Sequence, residues 1–176
     1  MSPILGIYAS QISGHLFAPS GAYDSIATTT VGSGGTGTIT FSSIPSTYTH
    51  LQLRVMAVYS AANPFGTLRF NGDSGSVYWW HQLQGNGSAA SASAYASLGS
   101  SIPTVQVADI LDYTSTSKNK TIRILEGYDA NGSGTLRLAS GLWSATPAAI
   151  TSITISTSTG TFAEYSSFAL YGIKGS

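Results

Sequence analysis

The chain contains no cysteine, so neither a disulfide framework nor a thiolate metal site is open to it. It is also poor in charge. Only 8% of its 176 residues are Asp, Glu, Lys or Arg, against about 25% in ordinary soluble domains. The seven basic and seven acidic residues cancel, which leaves no net field to draw in nucleic acid or an anionic lipid surface. No run approaches the roughly 18 consecutive apolar residues of a membrane-spanning helix. Residues 1–12 lack the basic start and apolar centre of a secretory leader, so none is expected. Helical patterning is nearly absent, because no window of about 11 residues carries an apolar stripe at i, i+3, i+4, i+7. Disorder is disfavoured too, since 42% of the residues are hydrophobic and the net charge is zero.

What the chain has in quantity is hydroxyl. Ser and Thr fill 49 positions, more than three times the fourteen charged ones (seven of each sign). Such a surface suits a protein packed against copies of itself or a partner, and it equally suits a hydroxyl-rich soluble β domain. Period-two alternation recurs along the sequence. Ile39 and Phe41 share a face, as do Leu51, Leu53 and Val55, then Leu68 and Phe70. Val77, Trp79, His81 and Leu83 alternate with Tyr78, Trp80 and Gln82. Val105 and Val107, Ile122 and Ile124, Leu136 and Leu138, Ile153 and Ile155, and Phe168 and Leu170 continue the pattern. A hairpin is expected from Lys120 to Tyr128, turning through Asp129–Gly134 and returning from Thr135 to Trp143, because Asn131-Gly132 tolerates positive φ. Short strands at this spacing predict an all-β fold, an antiparallel jelly-roll-like β-sandwich of about eight or nine strands over residues 36–176.

Two segments fall outside that pattern. Residues 1–35 read as an extended N-terminal arm with apolar Ile4, Leu5, Ile7 and Tyr8, ending in a glycine-rich linker at Gly32–Gly37. Such an arm cannot bury its own apolar residues and must dock on a neighbour or on its own core. Gly85–Ser101 is rich in Ala and Ser and aperiodic, which reads as a long loop or, through Ala89–Leu98, as a short helix.

Several motifs imitate chemistry without completing it. Gly72-Asp73-Ser74-Gly75 resembles the nucleophile stretch of trypsin-like serine proteases, which needs a His base and an orienting acid. His15, His50 and Asp24 are the available partners, and none lies in that family's surroundings. A turn between two paired strands explains Phe70–Gly75 better. Gly32–Thr38 lacks the Lys of a phosphate-binding loop. His15, His50 and His81 are dispersed, and Asp109, Asp112 and Asp129 read as turn-capping acids before they read as calcium ligands. No catalytic, cofactor-binding or metal residues are expected, and the chain does not read as an enzyme. Tyr78-Trp79-Trp80-His81 is the most distinctive cluster. Neighbouring strand residues point to opposite faces, so one of Trp79 and Trp80 anchors the core and the other faces outward. The outward one suits an intersubunit contact or stacking on a glycan.

Four stretches together resemble a group of small tailed-bacteriophage virion proteins. They are Ile4–His15, Tyr23–Gly32, Phe41–Leu51 and Leu170–Gly175. The resemblance spans nearly the whole chain, and its motifs look structural. It implies a virion component and leaves open which part of the particle. Together with the composition and the arm, it leads to the expectation of a capsid-decorating or cement protein, a homotrimer contacting the major capsid protein or another virion protein. The resemblance carries over no catalytic residues, and from composition no cofactor, nucleic-acid or membrane partner is expected. A tail or fibre component and a glycan-binding adhesin module of the virion are the alternatives.

Overall fold

The structure, a computed structural model, describes residues 21–61, 66–85, 90–93 and 102–175. All regular structure among them is β. Eleven strands form two antiparallel sheets. They are β1 (Tyr23–Thr30), β2 (Thr38–Phe41), β3 (His50–Ala57), β4 (Gly66–Phe70), β5 (Tyr78–Gly85), β6 (Ala90–Ser93), β7 (Thr104–Ile110), β8 (Lys120–Asp129), β9 (Gly134–Trp143), β10 (Ile153–Thr157) and β11 (Ser167–Ile173). The larger sheet runs β1-β11-β3-β7-β8-β9-β5-β6, and the smaller runs β2-β10-β4. The all-β sandwich expected from the alternation is therefore present.

The small sheet shows why the pattern was readable. Ile39, Phe41, Leu68, Phe70, Ile153 and Ile155 are buried, while Thr38, Thr40 and Thr67 between them are exposed. The large sheet sends Leu51, Leu53, Val55, Ala108, Ile110, Ile122, Ile124, Phe168 and Leu170 into the same core. Apolar burial stabilises at about 25 cal/mol per Å². Losing one of these side chains therefore leaves a cavity the close-packed interior fills poorly. The β8–β9 hairpin forms as expected. Ala130 N–H donates to the Ser133 carbonyl, and Asn131 and Gly132 both take positive φ.

Four expectations are corrected. Tyr23–Thr30, assigned to the arm, is an edge strand paired along β11, so the sandwich extends at least back to Tyr23. Its Thr run and a bulge between Ser25 and Ala27 hide the alternation. Residues 1–20 of the arm lie outside the described residues. The glycine run is an ordered crossing between sheets and not a loose linker. Thr36 and Phe162 exchange backbone hydrogen bonds, and a Cβ at Gly35 would meet the Phe162 carbonyl at 2.6 Å. Phe70–Gly75 turns through positive φ at Asn71 and Gly72, yet the strands it joins are not paired. β4 bonds β10 and β5 bonds β9, so the turn carries the chain from one sheet to the other. Within Gly85–Ser101, Ala90–Ser93 pairs with β5 as a strand, and the rest of that segment from 86 onward lies outside the described residues.

Candidate interaction surface

The outer face of the large sheet is where the residues stop following the core-in, polar-out rule. Strand register lines side chains into rows across the sheet. One row reads Leu83, Leu138, Leu125, Val107 and Arg54 on β5, β9, β8, β7 and β3. The adjacent row reads Gly85, Leu136, Gly127, Val105 and Met56 on the same strands. Met56, Leu83, Val105, Leu125, Leu136 and Leu138 are each about half exposed or more, with Leu136 at 61%. No charge interrupts either row between β5 and β7. The apolar pairs that mark β7 and β9 in the sequence, Val105/Val107 and Leu136/Leu138, thus face outward. The inward phase of β9 is carried by the small residues Ala139 and Gly141 and by Trp143. The sequence signal for this surface is β8, where Ile122 and Ile124 occupy one phase while Leu125 occupies the other.

Next to the aliphatic rows lies a polar one, running His81, Ser140, Arg123, Asp109, Gln52 and Tyr171. Its charges are compensated internally. Arg123 Nη2 donates to Asp109 Oδ2 at 2.9 Å, and Gln52 Nε2 donates to Asp109 Oδ1 at 2.8 Å. Arg54 Nε donates to Gln52 Oε1, while its guanidinium lies 4.9 Å from the Tyr171 ring centre and 5.6 Å from that of Tyr23. Burial alone would raise the Asp109 pKa, but the Gln52 and Arg123 bonds outweigh it and hold the carboxyl below its ordinary range.

The tryptophan pair divides as strand geometry requires, with Trp79 outward. Trp79 is 61% exposed and donates its indole N–H to Ser144 Oγ. Trp80 packs partly buried against the core. Its ring occupies the space over Gly141, where a Cβ would stand 2.3 Å from Trp80 Cζ3. A glycine at 141 is what lets the indole lie flat on β9.

On the inner face of the same sheet, one row is polar. Glu126 Oε1 accepts from Arg137 Nη1 at 2.8 Å, and Arg137 Nε donates to Gln84 Oε1. Glu126 Oε2 and Gln82 Oε1 are buried without a partner. Burial pushes the Glu126 pKa up, and Arg137 only partly opposes it. Lys120 is fully buried and donates to the Ser115 and Lys118 carbonyls, which ties down the β7–β8 connection.

The sequence motifs that imitate active sites have structural employment. Asp73 Oδ1 accepts from Gly75 N–H and Oδ2 accepts from the Trp143 indole at 2.7 Å. The Trp143 bond foremost lowers the Asp73 pKa. Asp24 pairs with Lys174, and His50 Nδ1 accepts from Asp112 N–H, so neither serves Ser74. His15 lies outside the described residues. Asp112 is held by Lys118, whose bond lowers its pKa, and Asp129 caps the hairpin turn through Asn131 N–H. Among the described residues, no group of three or more His, Asp or Glu side chains is placed to share a metal ion. No helix among them is long and apolar enough to cross a membrane.

No protein-family model, curated protein or solved structure matches the chain.

Proposed function

We propose that the chain is a bacteriophage virion structural protein, a capsid-decorating or cement protein that binds and stabilises the particle surface. The observation that supports this best is the aliphatic double row on the outer face of the large sheet. Apolar patches rimmed by polar groups mark protein contact surfaces, and this one covers four neighbouring strands. The hydroxyl-rich, charge-poor composition and the likeness to small phage virion proteins point the same way. The test is binding of the purified chain to heads lacking it, followed by a map of the intact particle. Saturable attachment to the head surface supports the reading. Density for the chain in the tail or fibre alone would overturn it in favour of a tail component. A glycan-binding adhesin is the second reading, favoured by the exposure of Trp79 beside His81 on one strand face. Glycan-array binding that disappears in Trp79→Ala would select it.

A further inference from the structure

We infer that the aliphatic double row is the site where a second copy of this chain docks, face to face through a two-fold axis. The inference rests on the assembly role proposed above and names the partner of that surface. Three observations favour a second copy over a chemically different partner. The first is area. Six apolar side chains, each about half exposed or more, offer a large share of the roughly 800 Å² per partner that a standard interface buries.

The second is charge. A charged partner finds little to engage, because no charge lies in the rows from β5 to β7 and Arg123 on their border is compensated by Asp109. Arg54 stands at the β3 end of one row, outside that stretch. Two identical faces can therefore close without stranding a like charge against a like charge. The third is shape. Leu136 stands between Gly127 and Gly85 in its row, and a Cβ at Gly85 would meet nothing within 4 Å. The Leu136 Cδ1 leans over Gly127, 3.7 Å from where a Cβ there would stand, so the gap lies on the Gly85 side. A protruding leucine with a gap beside it is self-complementary. In a two-fold pair each copy's Leu136 enters the gap beside the other's, and the contact is isologous. Sheets packed this way lie about 10 Å apart.

The experiment uses the full chain. Sedimentation equilibrium of the wild type should give a concentration-dependent monomer–dimer mass. Leu125→Asp should raise the dissociation constant at least about thirtyfold, whereas Thr40→Asp, on the exposed face of β2, should leave it unchanged. Circular dichroism checks whether Leu125→Asp keeps its β signature. If it does not, Leu138→Cys in this cysteine-free chain tests the geometry by itself, since a short bismaleimide should link two copies through position 138. A wild type that stays monomeric at every concentration overturns the inference. So does a trimer that position 138 fails to link, which is the homotrimer expected from the sequence. Attachment to heads by a strictly monomeric chain would leave the virion role standing and remove the pair. A dimer that ignores heads would do the reverse.

Discussion

On the outside of the three-stranded sheet stand Thr38, Thr40, Thr67, Thr154 and Ser156, and on the outside of the eight-stranded sheet stand Leu83, Leu125, Leu136 and Leu138. The threonines bond sideways to their cross-strand neighbours, Thr40 to Thr154 at 3.3 Å and Thr67 to Ser156 at 2.7 Å. They meet water with hydroxyls while the opposite phase fills the core. The leucines do nothing for the core, because Ile124 on β8, Ala139 and Trp143 on β9 and Trp80 on β5 already occupy the inner side of the same strands. An antiparallel sheet ordinarily keeps one face apolar and one face wet. The small sheet follows that rule and the large one departs from it over four strands. What the contrast teaches is that folding explains one outer face, and the other needs a partner.

The sharpest way to break this comparison is to substitute two adjacent residues of β8. Ile124→Ala opens a cavity in the sealed inner face and should cost about 2–5 kcal/mol. Leu125→Ala, one residue on, should stay within about 0.5 kcal/mol in the monomer. Urea unfolding at low protein concentration reads both, and equal losses would mean the outer row is packed as core.

A somewhat smaller effect is expected at the glycine under Trp80. Gly141→Ala places a methyl inside the indole's space and should cost about 1–3 kcal/mol as the ring is displaced. Tryptophan fluorescence should shift with it. An unchanged spectrum and midpoint would show that Trp80 does not lie on β9 as described.

The inner polar row should give a pH-dependent signal. Burial raises the Glu126 pKa above its ordinary value of 4.5, so the folded chain holds that proton more tightly than the unfolded one. The stabilisation is complete below the unfolded value and is lost as pH rises through the folded one. Glu126→Gln cannot titrate, so its stability relative to wild type should increase from about pH 4 to about pH 7. A flat or falling difference in urea midpoints would contradict a raised pKa.

The smallest expected effect is that of salt. With apolar rows and self-compensated charges, self-association should change little between roughly 0.05 and 0.5 M NaCl, a span over which exposed ion pairs are progressively screened. Lys118→Ala should matter less than Trp79→Ala in the same sedimentation series. Dissociation at high salt would put charge, and not the leucines, in control of the contact.

Local chemistry was enough to read much of the fold from the sequence. Alternation in β2, β3, β4, β10 and β11 reports burial directly, because one phase of each strand meets the core. Asn131-Gly132 reports its turn because few other residue pairs accept two positive φ angles cheaply. The edge strands β1 and β6 were not legible. Thr, Ala and Ser carry little contrast between faces, and the backbone pairing of the two strands with β11 and β5 leaves no mark in the residue pattern. The turn at Asn71-Gly72 was readable as a turn but not as a crossing, since a local bend does not say which sheet the next strand joins. Trp79 and Trp80 were known to part company, while the place of the inward one depended on Gly141, a residue 61 positions from Trp80. Which way the leucine rows face was not legible for a related reason. Alternation fixes which residues share a face, but only the pairing of β5, β9, β8 and β7, and the position of the small sheet on one side of them, decides which face is covered.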